Sequence, residues 1–140
     1  EHREKVTKQV GDAAESAVLG QLQAQGLQLV QRNYRTPARG GGEIDLIMRE
    51  PGGTLVFVEV RQRAQGTHGG AAGSVSAVKR RRIVLAAKIF LTRYGSAAPP
   101  CRFDVVAVEG VLHTVGATSK EQKVRTRIEW LRGAFTADAG

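Results

Sequence analysis

Apolar positions recur along the chain with two different periods. Between about Thr7 and Gln25, Ala14, Val18 and Leu22 fall at helical spacing with Ala17 beside them, and Gly26 supplies a C-terminal stop, so this stretch predicts an amphipathic helix. Leu27 to Tyr34 partly alternates apolar and polar residues and predicts a strand. Thr36 to Gly42, with a proline and three consecutive glycines, predicts a loop. Glu43 to Arg49 and Leu55 to Gln62 predict two more strands, the second rich in Val and Phe. The turn signal Pro51-Gly52-Gly53 between them is short enough to force antiparallel pairing. After a glycine-rich loop, Arg63 to Gly73, Ser74 is placed to cap a long helix reaching about Tyr94. Pro99 and Pro100 separate it from a fourth strand, Arg102 to Val108. Glu109-Gly110 turns into a short fifth strand, Val111 to Val115. Lys123 to Leu131 reads as a short final helix, and residues 133–140 as a frayed tail after a single domain over 1–132. The order helix, three strands, helix, two strands defines an α/β sandwich with a mixed sheet flanked by helices.

Composition narrows the partners. A chain of 140 residues, 41% apolar, builds one core without staples and is not of disordered composition. Its 17 glycines gather in loops without a repeating period. Cys101 is the single cysteine, which excludes an intramolecular disulfide and a zinc site built from several cysteines of this chain. No apolar run is long enough to span a bilayer, and Glu1 to Val6 is charged with no signal-peptide core, so a cytoplasmic location is expected. The chain begins without Met, which suggests that native residues precede it. The formal net charge of +8 favours an anionic partner, nucleic acid ahead of membrane surface, over a protein that is merely basic.

The hairpin about Gly52 carries the chemistry. Symmetric pairing sets Met48 against Val56, Leu46 against Val58, Ile47 against Phe57 and Ile44 against Val60. These apolar matches support the register, which places Asp45 directly opposite Glu59 and Glu43 opposite Arg61. Opposed Cβ atoms lie about 4.5–5.5 Å apart, and like charges there repel, more so among apolar neighbours. One carboxyl can take up a proton, or a divalent cation can sit between the two. A slipped register, or one acid facing solvent at a sheet edge, stays open as the plain alternative. Glu43 and Arg61 are explained equally by a cross-strand ion pair, although Arg61 lies on the same side of its strand as Glu59 and within reach of a phosphate held there.

Gly42-Glu43-Ile44-Asp45-Leu46-Ile47, Val56-Phe57-Val58-Glu59-Val60 and Cys101-Arg102-Phe103-Asp104-Val105-Val106 resemble the YraN family, as do Gly11 to Ala17 and Gln31-Arg32-Asn33-Tyr34-Arg35. The resemblance covers nearly the whole chain in order. It implies the restriction-endonuclease fold, with likeness to archaeal Holliday-junction resolvases and hence to the PD-(D/E)xK nucleases. On that pattern Asp45 is the acid of the second strand, Glu59 the acid of the ExK element, and Glu15 a first-helix glutamate assisting the metal, Mg²⁺ or Mn²⁺. The plain alternative for Glu15 is a solvated helix residue, although it precedes Val18, Leu19 and Leu22 along a partly apolar stripe. The sequence departs from the pattern at Arg61, where the pattern has lysine. Lysine loses a proton when its pKa is depressed, whereas arginine stays protonated. Arg61 retains the capacity to stabilise charge on a phosphoryl group while a metal-activated water serves as nucleophile, and Lys79 is a candidate to replace the lysine in space.

Lys79-Arg80-Arg81-Arg82 wraps most of a helix, because consecutive residues step about 100°. Some of the run therefore lies near the sheet. With Arg32, Arg35, Arg39, Arg61 and Arg63 it predicts phosphate contacts that are salt-sensitive and tolerant of sequence, against the plain reading of side chains snorkelling to water. His68 and His113 read as structural or loop residues, Asp104 as a buried hydrogen-bonded acid outside the site, and Cys101 as a buried packing residue. Two functions follow: a metal-dependent phosphodiesterase acting on DNA, with branched DNA and a homodimer as further expectations, or a nucleic-acid-binding module that keeps the fold without the chemistry. A plain interaction protein leaves the opposed acids and the basic run unexplained.

Overall fold

A computed structural model describes residues 2–37, 39–63, 75–109 and 127–137. The elements follow the expected order: α1 (His2–Ala24), β1 (Gln28–Arg35), β2 (Glu43–Arg49), β3 (Leu55–Arg63), α2 (Ala77–Leu91), β4 (Cys101–Glu109) and β5 (Arg127–Phe135), with a 3₁₀ segment, Thr92–Ala97, after α2. The strands form one five-stranded sheet in sequence order, β1 to β5. β3 and β4 are parallel and every other neighbouring pair is antiparallel. The parallel pair is joined by a connection containing α2, because parallel neighbours need a crossover.

The sheet is sandwiched between the helices. On one face Ala14, Val18 and Leu22 of α1 pack on Leu46, Met48, Val56, Val58, Val106 and Val108. On the other, Ile83, Ala86, Ala87 and Phe90 of α2 pack on Ile47, Leu55, Phe57, Val105 and Ala107. Period-two alternation thus buries both faces of β2, β3 and β4. α2 begins at Ser76, whose side chain accepts from Lys79 N, and not at Ser74. Regular α-helix ends at Leu91 rather than at Tyr94, and the chain continues as 3₁₀ helix. Cys101 is exposed at the start of β4, not buried in packing.

The C-terminal segment differs most from expectation. Arg127–Phe135 is a strand antiparallel to β4, not a helix, and it carries regular structure to Phe135, past the point where the sequence reads as frayed. Ile128 packs on the α1 face and Leu131 and Phe135 on the α2 face, as alternation along a strand requires. Leu131 pairs with Val105 and Phe135 with Phe103, so β5 carries extra residues against β4. Gly133, at φ 59°, turns that bulge inward, where its N–H donates to Asp104 Oδ1 at 2.9 Å. Asp104 is fully buried as expected, and it also accepts from Trp130 Nε1 at 2.8 Å and Arg102 Nε at 3.0 Å. Phe135 then stacks on Phe103, ring centroids 5.0 Å apart, and Phe103 on Phe57 at 5.5 Å. The expected strand Val111 to Val115, with His113, and the loop holding His68 lie outside the described residues.

Candidate active site

The β2–β3 ladder follows the expected register, Leu46 with Val58, Ile47 with Phe57 and Met48 with Val56, and ends at Leu46. Beyond that point the ladder stops, so Asp45 is not a ladder partner of Glu59, nor Ile44 of Val60, nor Glu43 of Arg61, as the symmetric extension requires. The cause is local. Asn33 in β1 has φ 54°, a left-handed conformation that asparagine adopts more readily than most residues. It falls between the ladder pairs Arg32–Leu46 and Tyr34–Ile44, beside Asp45. Here Ile44 and Tyr34 turn to the α2 face while Leu46 stays on the α1 face. The freed amide of Val60 donates instead to Asp45 Oδ2 at 2.8 Å. The missing ladder bonds open a cleft in the sheet just where the two acids lie.

Asp45 and Glu59 both line this cleft of about 440 Å³, walled by Gly42 and Glu43 on one side and by Ser76, Lys79 and Arg82 of the α2 end on the other. Burial pushes the Asp45 carboxyl up to about 8, and the charge of Glu59 and a hydrogen bond between the two carboxyls add to the shift. The bond from Val60 N and the charge of Lys79 oppose it. Asp45 therefore keeps a proton near neutral pH, one of the two resolutions expected of neighbouring acids. Glu59 is 3% exposed, and its Oε2 is buried without a directed hydrogen bond. Its charge is met by an ion pair with Lys79 Nζ and, at 4.0 Å, by Arg61 Nη1. The lysine absent from position 61 in sequence thus arrives from α2 in space.

The donor set suits a hard divalent cation, since two carboxylates facing an open cleft leave room for water and phosphate ligands. Among the described residues no group of three or more His, Cys, Asp or Glu is arranged to enclose a metal. A cation at Asp45 and Glu59 would complete its shell from solvent or substrate. It would also replace the proton that Asp45 keeps.

Glu15 approaches from α1. Burial raises its pKa first and the charge of Asp45 second, which places the two acids close together, while Arg32 lowers it. Glu15 does not line the cleft; its Oε1 takes Arg32 Nε at 3.3 Å. With its amide oriented to match its neighbours, Asn33 donates to Glu15 Oε1 at 3.0 Å and to Glu43 Oε1 at 3.1 Å. Asn33 therefore joins the Glu15 and Glu43 carboxylates, a role without any charge or spacing signal in the sequence. Arg32 is engaged by α1, donating also to Asp12 O and Ser16 Oγ, both at 3.0 Å. Arg63 lies against Glu129 at 3.3 Å and Glu109 at 3.9 Å. Arg35 pairs with Glu43 at 3.4 Å, yet its side chain is largely exposed. Of the basic residues expected around the site, Lys79 and Arg82 line the cleft and Arg61 reaches Glu59; Arg81 is exposed on α2, Arg80 is half-buried there, and Arg39 is exposed in the loop before β2.

Gly42 fixes the near wall. A Cβ there would stand 2.9 Å from Arg82 Cβ, and Gly42 N donates to Arg82 O at 3.3 Å. Only glycine lets the loop before β2 lie against α2, so the last of three glycines sets the width of the cleft.

A five-stranded mixed sheet between two helices, in this element order, is a restriction-endonuclease-like fold. The chain belongs to the uncharacterised protein family UPF0102, the YraN family, whose model matches residues 14–108. It is similar to a UPF0102 protein of Polaromonas naphthalenivorans (strain CJ2), 57% identical over 94% of this chain and 81% of that one. A UPF0102 protein of Albidiferax ferrireducens is 57% identical over 94% of this chain and 90% of its own length. One of Methylibium petroleiphilum is 52% identical over 94% and 97% respectively.

Proposed function

We propose that this protein is a metal-dependent phosphodiesterase acting on DNA. The observation that supports this best is the meeting of Asp45 and Glu59 at the floor of a cleft rimmed by cations, with Lys79 Nζ against the Glu59 carboxylate. Buried acids of like charge oppose folding unless something compensates for them, and their place in a cleft that Lys79 and Arg82 also line supports a bound cation and an anionic substrate. Asp45 and Glu59 would hold Mg²⁺ or Mn²⁺, with the charge of Glu15 close behind Asp45. Such a cation supplies Lewis acidity and an activated water. Lys79 fixes the rotamer of Glu59 and faces the position a phosphoryl oxygen takes. Arg61 and Arg82 neutralise charge that develops on that phosphoryl group.

Calorimetric titration of Mn²⁺ into wild type and Asp45→Ala, followed by addition of linear and branched DNA, tests the assignment. Metal binding and cleavage by wild type alone agree with it. No metal bound by either protein, with DNA bound equally by both, would overturn it. A nucleic-acid-binding module without chemistry is the second reading, and Arg61 in place of lysine is the observation that favours it. Lys79 weighs against it, because it restores an ammonium to the same carboxylate.

A further inference from the structure

The solvent side of α2 has an unusual make-up. The helix carries five cations, Lys79, Arg80, Arg81, Arg82 and Lys88, and no acid. Its apolar face is spent on the sheet through Ile83, Val84, Ala86, Ala87 and Phe90. Two large apolar side chains nevertheless point outward, Val78 at 48% and Leu85 at 37% exposure. The remaining exposed large apolar residue among those described, Leu29, lies on β1. Val78 and Leu85 are seven positions apart, with Arg81 and Arg82 three and four positions after Val78 and Lys88 three after Leu85, so all five share one stripe. Arg81, Arg82 and Lys88 are exposed, and no ion pair or hydrogen bond among the described residues engages their side chains. The stripe begins at the cleft, since Val78 and Arg82 line it. It runs on for about 15 Å at 1.5 Å per residue, long enough for several nucleotides.

We propose that the outer stripe of α2, Val78, Arg81, Arg82, Leu85 and Lys88, seats an unpaired strand of the nucleic acid whose phosphate lies in the cleft. The inference rests on the phosphodiesterase reading of that cleft and adds the substrate class: DNA with a single-stranded arm or a splayed end. Cations alone suit any phosphate backbone and carry no preference for strand number. Alternation of cations with outward aliphatic side chains is different. A blunt duplex offers phosphates while its bases stay stacked, so Val78 and Leu85 would stay wet against it. A splayed strand offers sugar and base faces that apolar side chains cover while the arginines hold the phosphates between them. Lipid is the weaker match, because a helix that binds membranes needs a broad apolar face, and α2 has already buried its own.

The experiment measures anisotropy of labelled oligonucleotides of one length, single-stranded, blunt duplex and splayed-end duplex, with wild type and with Leu85→Ser/Lys88→Gln. Both changes are on exposed positions outside the cleft lining. Loss of one buried aliphatic contact and one phosphate contact lowers affinity for the single-stranded and splayed DNA about tenfold or more. Affinity for the blunt duplex falls much less, and Mn²⁺ affinity stays as in wild type. Equal losses on all three DNAs, or no loss on any, overturn the stripe as an unpaired-strand seat while leaving the cleft assignment standing. Wild type that binds neither Mn²⁺ nor any DNA overturns the cleft reading itself. Wild-type binding to phosphatidylserine vesicles that the double variant loses, with DNA binding unchanged, reassigns the stripe to lipid.

Discussion

Asp45 shows what a single side chain contributes. Its carboxyl sits at about 8 in the folded chain against an ordinary 3.8. Below pH 4 both folded and unfolded chains hold the proton. Between there and pH 8 the folded chain keeps a proton that the unfolded chain has lost, so stability falls as pH rises through this window and levels off above it. The slope is at most about 1.4 kcal/mol per pH unit for one proton. Asp45→Asn is expected to flatten that slope and to be more stable than wild type near pH 8. Urea midpoints between pH 5 and 9 measure this, and an unchanged slope would refute the proton on Asp45. Lys79 is the complementary case. Lys79→Met is expected to slow cleavage by about 10²–10⁴-fold, the usual range for a positioned acid–base or charged group. Arg61→Lys, by contrast, should leave the rate within the same order of magnitude. If Arg61→Lys raises activity strongly while Lys79→Met is neutral, the lysine function belongs to β3 and not to α2.

At the scale of elements, two small features hold long segments in place. Gly42 lets the β1–β2 loop touch α2, and Gly42→Ala is expected to cost about 1–3 kcal/mol because its Cβ overpacks against Arg82. Thermal unfolding measures the stability, and the Mn²⁺ titration shows whether the cleft has widened. Asp104 pins β5. Asp104→Ala strips an acceptor from Arg102, Trp130 and Gly133 together; the part-exposed Arg102 keeps its ion pair with Glu50, while the Trp130 and Gly133 N–H groups lose their partner. The expected loss is about 2–4 kcal/mol, at about 1–3 kcal/mol for each enclosed donor left without an acceptor. Trp130 fluorescence should shift red as β5 loosens. An unshifted spectrum at wild-type stability would mean that the stacking of Phe135 on Phe103 alone holds the strand.

At the scale of the molecule, charge and shape act together. The formal net charge of +8 gives long-range attraction for a polyanion, and the exposed cations of α2 focus it beside the cleft. DNA affinity is expected to fall linearly in log–log terms with salt, with a slope near −0.9 for each phosphate neutralised on a duplex and about −0.7 on a single strand. Four or five contacts on α2 then imply about a hundredfold loss over a several-fold rise in salt. Affinity that hardly changes between low and moderate salt would show that the basic surface is not the binding surface.

Much of this protein was set locally. The helical stripe of Ala14, Val18 and Leu22, the alternation in β2 and β3 and the Pro51-Gly52-Gly53 turn specify elements and a hairpin register from neighbours in sequence alone, because period and turn chemistry act over a few residues. That register also predicts Asp45 near Glu59, and both line one cleft although the ladder ends one pair short of them. What lay beyond reach depended on residues far apart in the chain. β5 is a strand because it pairs with β4, and Gly133 closes on Asp104 across that pairing. The hairpin ladder stops at Leu46 because Asn33, on a third strand, turns left-handed beside Asp45. Lys79 meets Glu59 only after the crossover lays α2 on the sheet. Sequence patterns encode which face a residue takes within its own element. Which distant side chain it meets there is decided by packing, and in this protein packing supplied the lysine and opened the cleft.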